Sequence, residues 1–552
     1  MATTLSRSGL VTVLKQVVTR ARRRGLARRL FLPAVLVFLL GAGYLSSLLP
    51  GIGYSGDTIK FQYVGKILGV PHATGYPLHT ALNHLFVTLF PFGSVAYRAN
   101  LFSAVCAVGA CVALFSLLRL LRVGPVVALV CALAFGFSKS FWAQAVVAEV
   151  YTLLALLMAA TVYFLVRWHL ERRDHDFYLA TALYALSFGN HLLAITLLPA
   201  FVFLVAATDK RVFVQPRKVL WVLAVVALGA LQYGFLWWRM VSPETLYAEG
   251  LRPHAGGLDL RRFRYFVTGA QFKPAMFAFT LEEVLTQRVP LFLRFMQRDL
   301  PALSTVGLFG VFGSRIGRPV RGFLALYFLT NALYAVNYNI PDLEGYFLMN
   351  SWVAAVFVGA ALERHVQWRL ARQQRWIFAL LCCIPVVYFA ARYPTVSQSD
   401  AFVQRIQTEA VLRAVGGDAV LLPTNYRVSQ GFLYYLLGEG QGEAHNLHAV
   451  SFRGNTGRLR RYLSGDPVSE DPALKDPVFK NSVLRPLARQ AVPPGLPLYA
   501  YPCYRRGSTE ERAAELGLNV LWLFRETPYL CRLELAEEDG AAFSRTAVYA
   551  LP

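Results

Sequence analysis

Apolar blocks of about 20 residues, separated by clusters of arginine and lysine, run through most of the sequence. A block of that length spans the hydrocarbon core of a bilayer as an α-helix, which satisfies its backbone hydrogen bonds internally. With 56% hydrophobic residues and a mean hydropathy of +0.43, the 552-residue chain is too apolar for a soluble protein of ordinary composition. The pattern therefore predicts an all-α polytopic membrane bundle.

The basic clusters predict how the chain threads the membrane. Arginines crowd the region before the first apolar block at 31–49, and no cleavage site of the A-x-A kind follows that block. Residues 1–30 are therefore predicted to be a basic cytoplasmic N-terminus. Threading the later blocks gives about eleven transmembrane helices within residues 31–392. The block at 177–207 has basic residues at both ends, so it should contain two short helices that meet at 189–191.

An odd number of spans places the polar C-terminal region, residues 393–552, outside the cytoplasm. Its short apolar runs indicate buried strands among helices, hence an extracytoplasmic α/β domain. Cys503 and Cys531 lie in this region, and in an oxidising compartment they could form a disulfide. The arginine-rich composition favours a bacterial inner (plasma) membrane.

The charge of the chain raises the question of nucleic acid, since 55 basic residues exceed 32 acidic ones and give +23. Basic patches bind phosphate backbones. Here the arginines flank apolar blocks, where positive-inside anchoring accounts for most of them. The bilayer, and not nucleic acid, is the expected partner.

Unusual polar motifs all fall on the outer side of this threading, in the first outer loop (51–98) or at outer helix ends. Ionisable groups at such depths are expensive to place and point to a functional site. The motifs are GD at 56–57, GVPHATGYPL at 69–78, FWAQAVVAEVY at 141–151, GNH at 189–191 and NIPDLE at 339–344.

These motifs resemble those of a membrane-protein family that contains the vertebrate transmembrane O-mannosyltransferase of plexin-type receptors. The stretch from Asp57 to Leu78 is similar to the family's first-loop signature, D-S-G-E followed by L-G-V/I-A-H-P-P-G-Y-P-L. Residues 142–151 match its W-x-Q-A…E-V-Y element, residues 190–191 its N-H element, and residues 339–347 its N-I-P-D…Y-F element. The resemblance extends from about residue 50 to about residue 350.

The resemblance implies the C-type glycosyltransferase fold, a catalytic first outer loop and a sugar donor carried on polyprenyl phosphate. Residues 31–392 would then be the glycosyltransferase domain. Lys60 departs from the family, which usually has an acidic residue there, and residues 71–74 read PHAT where the family reads AHPP. The loss of the second carboxylate argues against two-carboxylate or metal-assisted variants, so no metal site is expected.

Sugar transfer from a lipid phosphate needs a base for the acceptor and groups that hold the leaving phosphate. Asp57 is the predicted base, although an Asp at this place can also be a simple helix cap. Several other residues are candidates for donor or substrate binding, each with a structural alternative such as a cap, a turn or a helix junction. They are His72, Tyr76, Arg98, Gln144, Glu149, Tyr151, Asn190, His191, Asp342 and Glu344.

The predicted function is therefore transfer of a sugar from a polyprenyl-phosphate donor to an extracytoplasmic acceptor. That acceptor would be a protein Ser or Thr, or an envelope glycan or lipid. No cofactor is assigned beyond this lipid-linked co-substrate, and the sequence does not decide whether a divalent metal takes part. Two alternatives remain from sequence: a transporter or lipid flippase, and a catalytically inactive membrane scaffold. A transporter should carry mid-helix charges and internal repeats, and neither is evident.

Overall fold

In the computed structural model, the described residues are 30–242, 259–313, 316–368, 374–415, 419–423, 426–440, 447–449, 498–501, 520–527 and 530–535. Most of the predicted basic N-terminus lies outside them. The predicted Cys503–Cys531 disulfide also lies outside the described residues, as does most of the predicted α/β domain.

The described chain is mostly helical. Proline occupies the first turn of several helices, where its missing N–H is not needed. The helices up to residue 241 are α1 (Leu30–Ser47), α2 (Gly56–Val64), α3 (Pro77–Leu89), α4 (Val95–Leu120), α5 (Pro125–Gly136), α6 (Lys139–Ala145), α7 (Tyr151–Glu171), α8 (Asp174–Ser187), α9 (Leu198–Thr208) and α10 (Pro216–Val241).

Later helices are shorter on average, and 3₁₀ or π turns join several of them. They are α11 (Leu260–Val267), α12 (Leu281–Glu283), α13 (Val289–Asp299), α14 (Leu303–Gly313), α15 (Arg318–Val336), α16 (Leu348–Trp368), α17 (Gln374–Val396), α18 (Val403–Val415) and α19 (Tyr426–Leu433). A π turn, Tyr434–Gly438, continues α19.

Five described helices are long and apolar enough to cross a bilayer, or six if α5 and α6, bent by 69°, count as one span. The prediction of about eleven spans is therefore not confirmed. Hydropathy detects apolar segments, but it does not distinguish a full span from a helix that ends inside the bundle. The five segments are Leu30–Ser47, Val95–Leu120, Tyr151–Glu171, Pro216–Val241 and Leu343–Arg364, while Leu192–Thr208 and Leu380–Val396 are apolar but shorter.

The predicted break within the block 177–207 is confirmed, because α8 ends at Ser187 and a 3₁₀ turn, Leu192–Leu197, leads into α9. The main core forms where α4 packs along α7 and α14 packs along α16. Trp142, Trp168 and Trp352 are fully buried there. These large rings fill the space between helices and fix the bundle around its polar end.

Five short strands of the C-terminal region form one sheet in the order β2-β1-β3-β5-β4. β1 pairs in parallel with β2 and β3, whereas β5 pairs antiparallel with β3 and β4. The strands are β1 (Ala419–Pro423), β2 (Leu447–Ala449), β3 (Leu498–Tyr501), β4 (Val520–Thr527) and β5 (Leu530–Leu535).

Helix α19 and its π turn pack against the back of α2. The Tyr63 hydroxyl donates to Gln430 Oε1 at 2.9 Å, and Tyr434 Oη accepts from the backbone N–H of Ala96 at 3.1 Å. Apolar side chains of α2, α18 and α19 form a separate buried cluster around these bonds. Helices beyond residue 400 therefore pack against α2 and support it.

Gly310 provides a test of the packing between α14 and α16. A Cβ atom on Gly310 would lie 2.2 Å from the carbonyl oxygen of Phe357, and backbone yields less readily than a side chain. We expect Gly310→Ala to destabilise the protein by about 1–3 kcal/mol despite the higher helix propensity of alanine. Thermal unfolding in detergent would measure the difference.

Gly234→Ala on α10 is the matched control, because nothing lies within 4 Å of the added Cβ. This variant should be neutral or slightly stabilised. Equal melting temperatures for the two variants would contradict the close packing of α14 on α16.

Candidate active site

Helix α2 carries the first group of site residues. Asp57 lies in its first turn, where the helix dipole favours a carboxylate. One turn later, the Lys60 ammonium binds Asp57 Oδ1, with an Nζ–Oδ1 distance of 2.7 Å. Lys60 is fully buried, whereas the Asp57 side chain keeps 38% of its surface exposed. The exposed end of this ion pair is therefore the carboxylate.

Glu149 lies immediately before α7 and joins α2 through Thr58, whose hydroxyl donates to Glu149 Oε1 at 3.1 Å. The Ser103 hydroxyl on α4 accepts from the Glu149 backbone N–H at 3.2 Å. Burial, with the nearby charge of Asp57 second, raises the pKa of Glu149 to about 8. Glu149 therefore holds a proton at neutral pH.

The loop at 69–76 brings His72 and Tyr76 over α2. Their polar ends meet, with 3.0 Å between His72 Nε2 and the Tyr76 hydroxyl, and both rings contact Phe61. Gly75 has φ +91°, and an added Cβ would lie 2.4 Å from Leu236, so glycine is required there. The loop is thereby held close to α10.

Asn190 and His191 occupy the break between α8 and α9. Asn190 Nδ2 donates to the carbonyl of Val150 at 3.0 Å, and His191 Nδ1 accepts from the Leu193 N–H at 3.0 Å. His191 therefore satisfies backbone at the helix junction, as predicted, whereas Asn190 ties the junction to the start of α7. The His191 ring also faces outward from the junction, onto Tyr76 at 5.8 Å between centroids. Burial lowers the pKa of His191 to about 4, so the ring is neutral.

The rings of Tyr151 and Tyr346 continue a row of aromatic side chains, here called the aromatic wall, that runs from His72 and Tyr76 to His191. Their ring centroids lie 5.6 Å from that of His191 in each case. Gly345 permits the approach of this segment, because a Cβ there would lie 2.7 Å from the Tyr151 ring. Asp342 precedes it, and burial, followed by the charges of Asp57 and Glu344, raises the Asp342 pKa. The segment after α15 thus faces the first-loop residues.

Glu344 belongs to a neighbouring charged group. Arg298 Nη1 donates to Glu344 Oε1 at 2.6 Å, and its Nη2 donates to the Ser140 hydroxyl. Asp299, almost fully buried, accepts from the backbone N–H and the hydroxyl of Ser140 at 3.1 and 2.9 Å. These bonds tie α6, α13 and the 3₁₀ turn Leu343–Phe347 together at the margin of the site.

Two predicted residues, Arg98 and Gln144, form no bond with the other predicted site residues among the described residues. Arg98 donates to the carbonyls of Val87 and Phe90 at 2.6 and 3.2 Å, so it caps the end of α3. Gln144 lies on α6, and its buried Oε1 has no hydrogen-bond partner in the described part of the chain. Their assignment to donor binding stays a prediction.

Apart from Glu344, the other predicted residues meet at one place, which we name the polar cleft. It consists of Asp57, His72, Tyr76, Glu149, Tyr151, Asn190, His191 and Asp342 with Thr58, Lys60 and Tyr346. Sequence reasoning did not assign Thr58, Lys60, Tyr346 or Arg298 to the site. Thr58 and Lys60 flank Asp57 at helical spacing and could have been found, whereas Arg298 gave no signal.

The polar cleft combines the Asp57 carboxylate in its ion pair with Lys60, a protonated carboxyl group at Glu149, the neutral imidazole of His191 and tyrosine rings. Such a set can accept a proton from a hydroxyl and stack on the apolar face of a sugar. Among the described residues, no group of three or more His, Cys, Asp or Glu side chains is placed to hold a metal ion.

Glu149→Gln tests the protonation of the buried carboxyl group. The folded-state pKa of Glu149 is about 8, above the ordinary 4.5. The protonated carboxyl group therefore contributes stability that is fully present below pH 4.5 and is lost as pH rises through about 8. Glutamine does not titrate. We expect the melting temperature of Glu149→Gln, relative to wild type, to rise from about pH 5 to about pH 8 and then level off.

The exposed Glu282 is the control, because it lies outside the polar cleft. Glu282→Gln should keep a constant offset from wild type over the same range. A constant offset for Glu149→Gln as well would show that Glu149 ionises normally.

Most of the polar cleft lies in a segment that matches a known protein family. Residues 57–213 match the family model of the N-terminal domain of the protein O-mannosyl-transferase TMEM260. The mouse protein O-mannosyl-transferase TMEM260 is 40% identical over 138 residues, which are 24% of this chain and 19% of the mouse protein. The chain thus aligns with about a fifth of the length of that relative.

Solved structures resemble the whole chain. ArnT from Cupriavidus metallidurans in the apo state has a TM-score of 0.60 at 10% identity, over 95% of this chain and all of ArnT. ArnT bound to undecaprenyl phosphate has a TM-score of 0.52 at 12% identity, over 91% and 97% of the two chains. At such identities the likeness shows the fold. Residues 57–213 are therefore similar to the N-terminal domain of the protein O-mannosyl-transferase TMEM260, within a chain that has the fold of ArnT.

Proposed function

We propose that this protein is an integral membrane glycosyltransferase that moves a sugar from a polyprenyl-phosphate donor to a hydroxyl acceptor. The observation that carries the proposal is the polar cleft itself. Three carboxyl groups, of Asp57, Glu149 and Asp342, lie within electrostatic range of each other beside His72 and Tyr76. Apart from Asp342 and Tyr346, the residues of the cleft lie in the part that matches a protein O-mannosyl-transferase, and the fold is that of a protein solved with undecaprenyl phosphate.

In this proposal, Asp57 is the general base. The acceptor oxygen attacks the anomeric carbon while its proton passes to the Asp57 carboxylate, and the bond from that carbon to the phosphate oxygen breaks. Polyprenyl phosphate leaves, and a single displacement inverts the anomeric centre. Asp57 is suited to the role because it is the partly exposed member of its ion pair. His72, Tyr76, Tyr151 and His191 form the aromatic wall against which a sugar would stack.

The donor lipid needs an apolar path to the polar cleft, and a cavity of about 820 Å³ between α8, α9 and α10 provides one. Its walls are almost wholly apolar, and many side chains of α10 are exposed, as expected for a helix that faces lipid. We assign this cavity to the polyprenyl chain.

The cavity ends beside the loop that carries His72. Tyr233 and Val267 line the cavity and also pack on the buried group around Val70 and Ala73. Arg239, on the last turn of α10, donates to the carbonyl of Leu68 at 2.8 Å. A lipid lying in the cavity would therefore present its phosphate to the loop and to Arg239.

The remaining parts of the proposal follow the predicted threading. Residues 31–392 form the transferase domain, the first outer loop and the polar cleft face away from the cytoplasm, and residues 393–552 help to present the acceptor. The relative named as a protein O-mannosyl-transferase favours mannose as the sugar and a protein Ser or Thr as the acceptor.

Asp57→Asn tests the base. We expect turnover of polyprenyl-phosphate mannose by the purified protein in lipid to fall by about 10²–10⁴-fold, because asparagine cannot accept the proton. Donor consumption in the presence of Ser/Thr peptides is the measurement. Asp400→Asn is the control, since Asp400 is an exposed carboxylate outside the polar cleft.

Equal donor turnover in wild type and Asp57→Asn would retain the enzyme class but remove Asp57 as its base. No turnover by wild type across donors that carry different sugars would contradict the proposed function and favour an inactive scaffold.

Ala230→Trp tests the lipid path, because Ala230 lines the cavity on α10. We expect the added ring to narrow the cavity and to raise the KM for an undecaprenyl-phosphate sugar by about tenfold, or ~1.4 kcal/mol. The KM for a short-chain analogue of the same sugar phosphate should not change. Ala227→Trp, on an exposed face of α10 outside the lining, is the control. An equal rise of KM for both donors would show that the polyprenyl chain does not bind in this cavity.

A further inference from the structure

Lys60 is an unusual residue for its surroundings. Its side chain has no exposed surface, yet it lies among acidic groups and not in the apolar core. The ammonium nitrogen lies 2.7 Å from Asp57 Oδ1 and 5.8 Å from the centre of the Phe61 ring. Burying a lysine is costly unless it is paired, so a buried lysine at this place must offset a larger electrostatic penalty.

That penalty comes from crowded carboxyl groups. Asp57 lies in the first turn of α2, and Glu149 bonds to the same turn through the Thr58 hydroxyl. The charges of Asp57 and Asp342 each raise the pKa of Glu149, whereas the charge of Lys60 lowers it. Without a cation, two or three carboxyl groups in one partly dry cleft could not all ionise.

We infer that Lys60 is a positioning residue: its buried ammonium group is the fixed counter-charge that keeps Asp57 ionised and oriented beside Glu149 and Asp342. The i, i+3 spacing on α2 makes the pair independent of any mobile loop. Helix α2 is in turn held from behind by Tyr63 and Gln430. The inference rests on the proposed function for its catalytic meaning, but its electrostatic core can be tested without a substrate.

The groups that face Lys60 define what should titrate. They are Asp57 on its own helix, Glu149 before α7, Tyr76 on the loop and Asp342 after α15, of which Asp342 acts through the other two acids. Tyr76 stays protonated, because burial raises its pKa. Among these four groups, the pH dependence between about pH 5 and about pH 8 therefore belongs to the carboxyl groups.

The first experiment is a double-mutant cycle of thermal unfolding in detergent with Lys60→Met, Asp57→Asn and the double variant. Removing the cation raises the folded-state pKa of the carboxyl groups, and a raised value means stability that is lost as pH increases. We expect the melting temperature of Lys60→Met to fall further below wild type as pH rises from about 5 to about 8. The double variant should lose most of that pH dependence.

Lys66→Met is the matched control, since Lys66 is exposed and lies just beyond α2. It should show no pH-dependent deficit. A deficit of Lys60→Met that is constant with pH, or that persists in the double variant, would show that Lys60 acts only by packing and would overturn the inference. If Lys60→Met does not fold at neutral pH, recovery through Asp57→Asn supports the inference and failure to recover contradicts it.

The second experiment measures donor turnover. We expect Lys60→Met to lower kcat by about tenfold or more, to change KM little, and to move the acidic limb of the pH–rate profile to higher pH. Lys60→Arg should keep part of the activity, because it keeps the charge. An unchanged kcat and pH profile in Lys60→Met, beside an active wild type, would overturn the inference alone. A wild type without turnover would overturn the proposed function, while the unfolding cycle would still decide the role of Lys60.

Discussion

The site depends on how the polar groups of α2 are satisfied, because this helix is almost wholly buried although it carries Asp57, Thr58, Lys60, Gln62 and Tyr63. Each of these side chains bonds to a different part of the chain or to its own helix. A buried polar group without a partner costs about 1–3 kcal/mol. The requirement for partners therefore determines which segments must surround α2.

Asn100 shows how these bonds organise the centre of the fold. Its side chain accepts from Gln62 Nε2 and from the Ala148 N–H, each at 2.9 Å, and donates to the carbonyl of Leu49 at 2.8 Å. One residue of α4 thereby connects α2, the end of α1 and the segment that carries Glu149. Because these bonds are short-range and directional, the carboxyl groups of the polar cleft are held at fixed separations.

The same arrangement separates two environments. Apolar side chains of α8, α9 and α10 line the cavity, and the loop 69–76, which carries His72 and Tyr76 of the polar cleft, packs on two of the lining residues. A donor with an apolar chain and a charged sugar phosphate needs these two environments side by side. This proximity, together with a matched family domain over residues 57–213, is why a lipid-linked sugar is favoured as the substrate over a soluble one.

The sequence by itself determined the membrane character, most helix positions, the break between α8 and α9 and the motifs that meet in the polar cleft. Apolar block length and polar residues at helix ends are local signals, so they can be recognised in the chain alone. Only the tertiary structure decided how many helices are long enough to span, that Arg98 caps α3, and that Lys60 pairs with Asp57 among other acids. It also decided that Arg298 reaches Ser140 and Glu344 and that α19 supports α2, since these contacts join residues far apart in the chain and depend on packing.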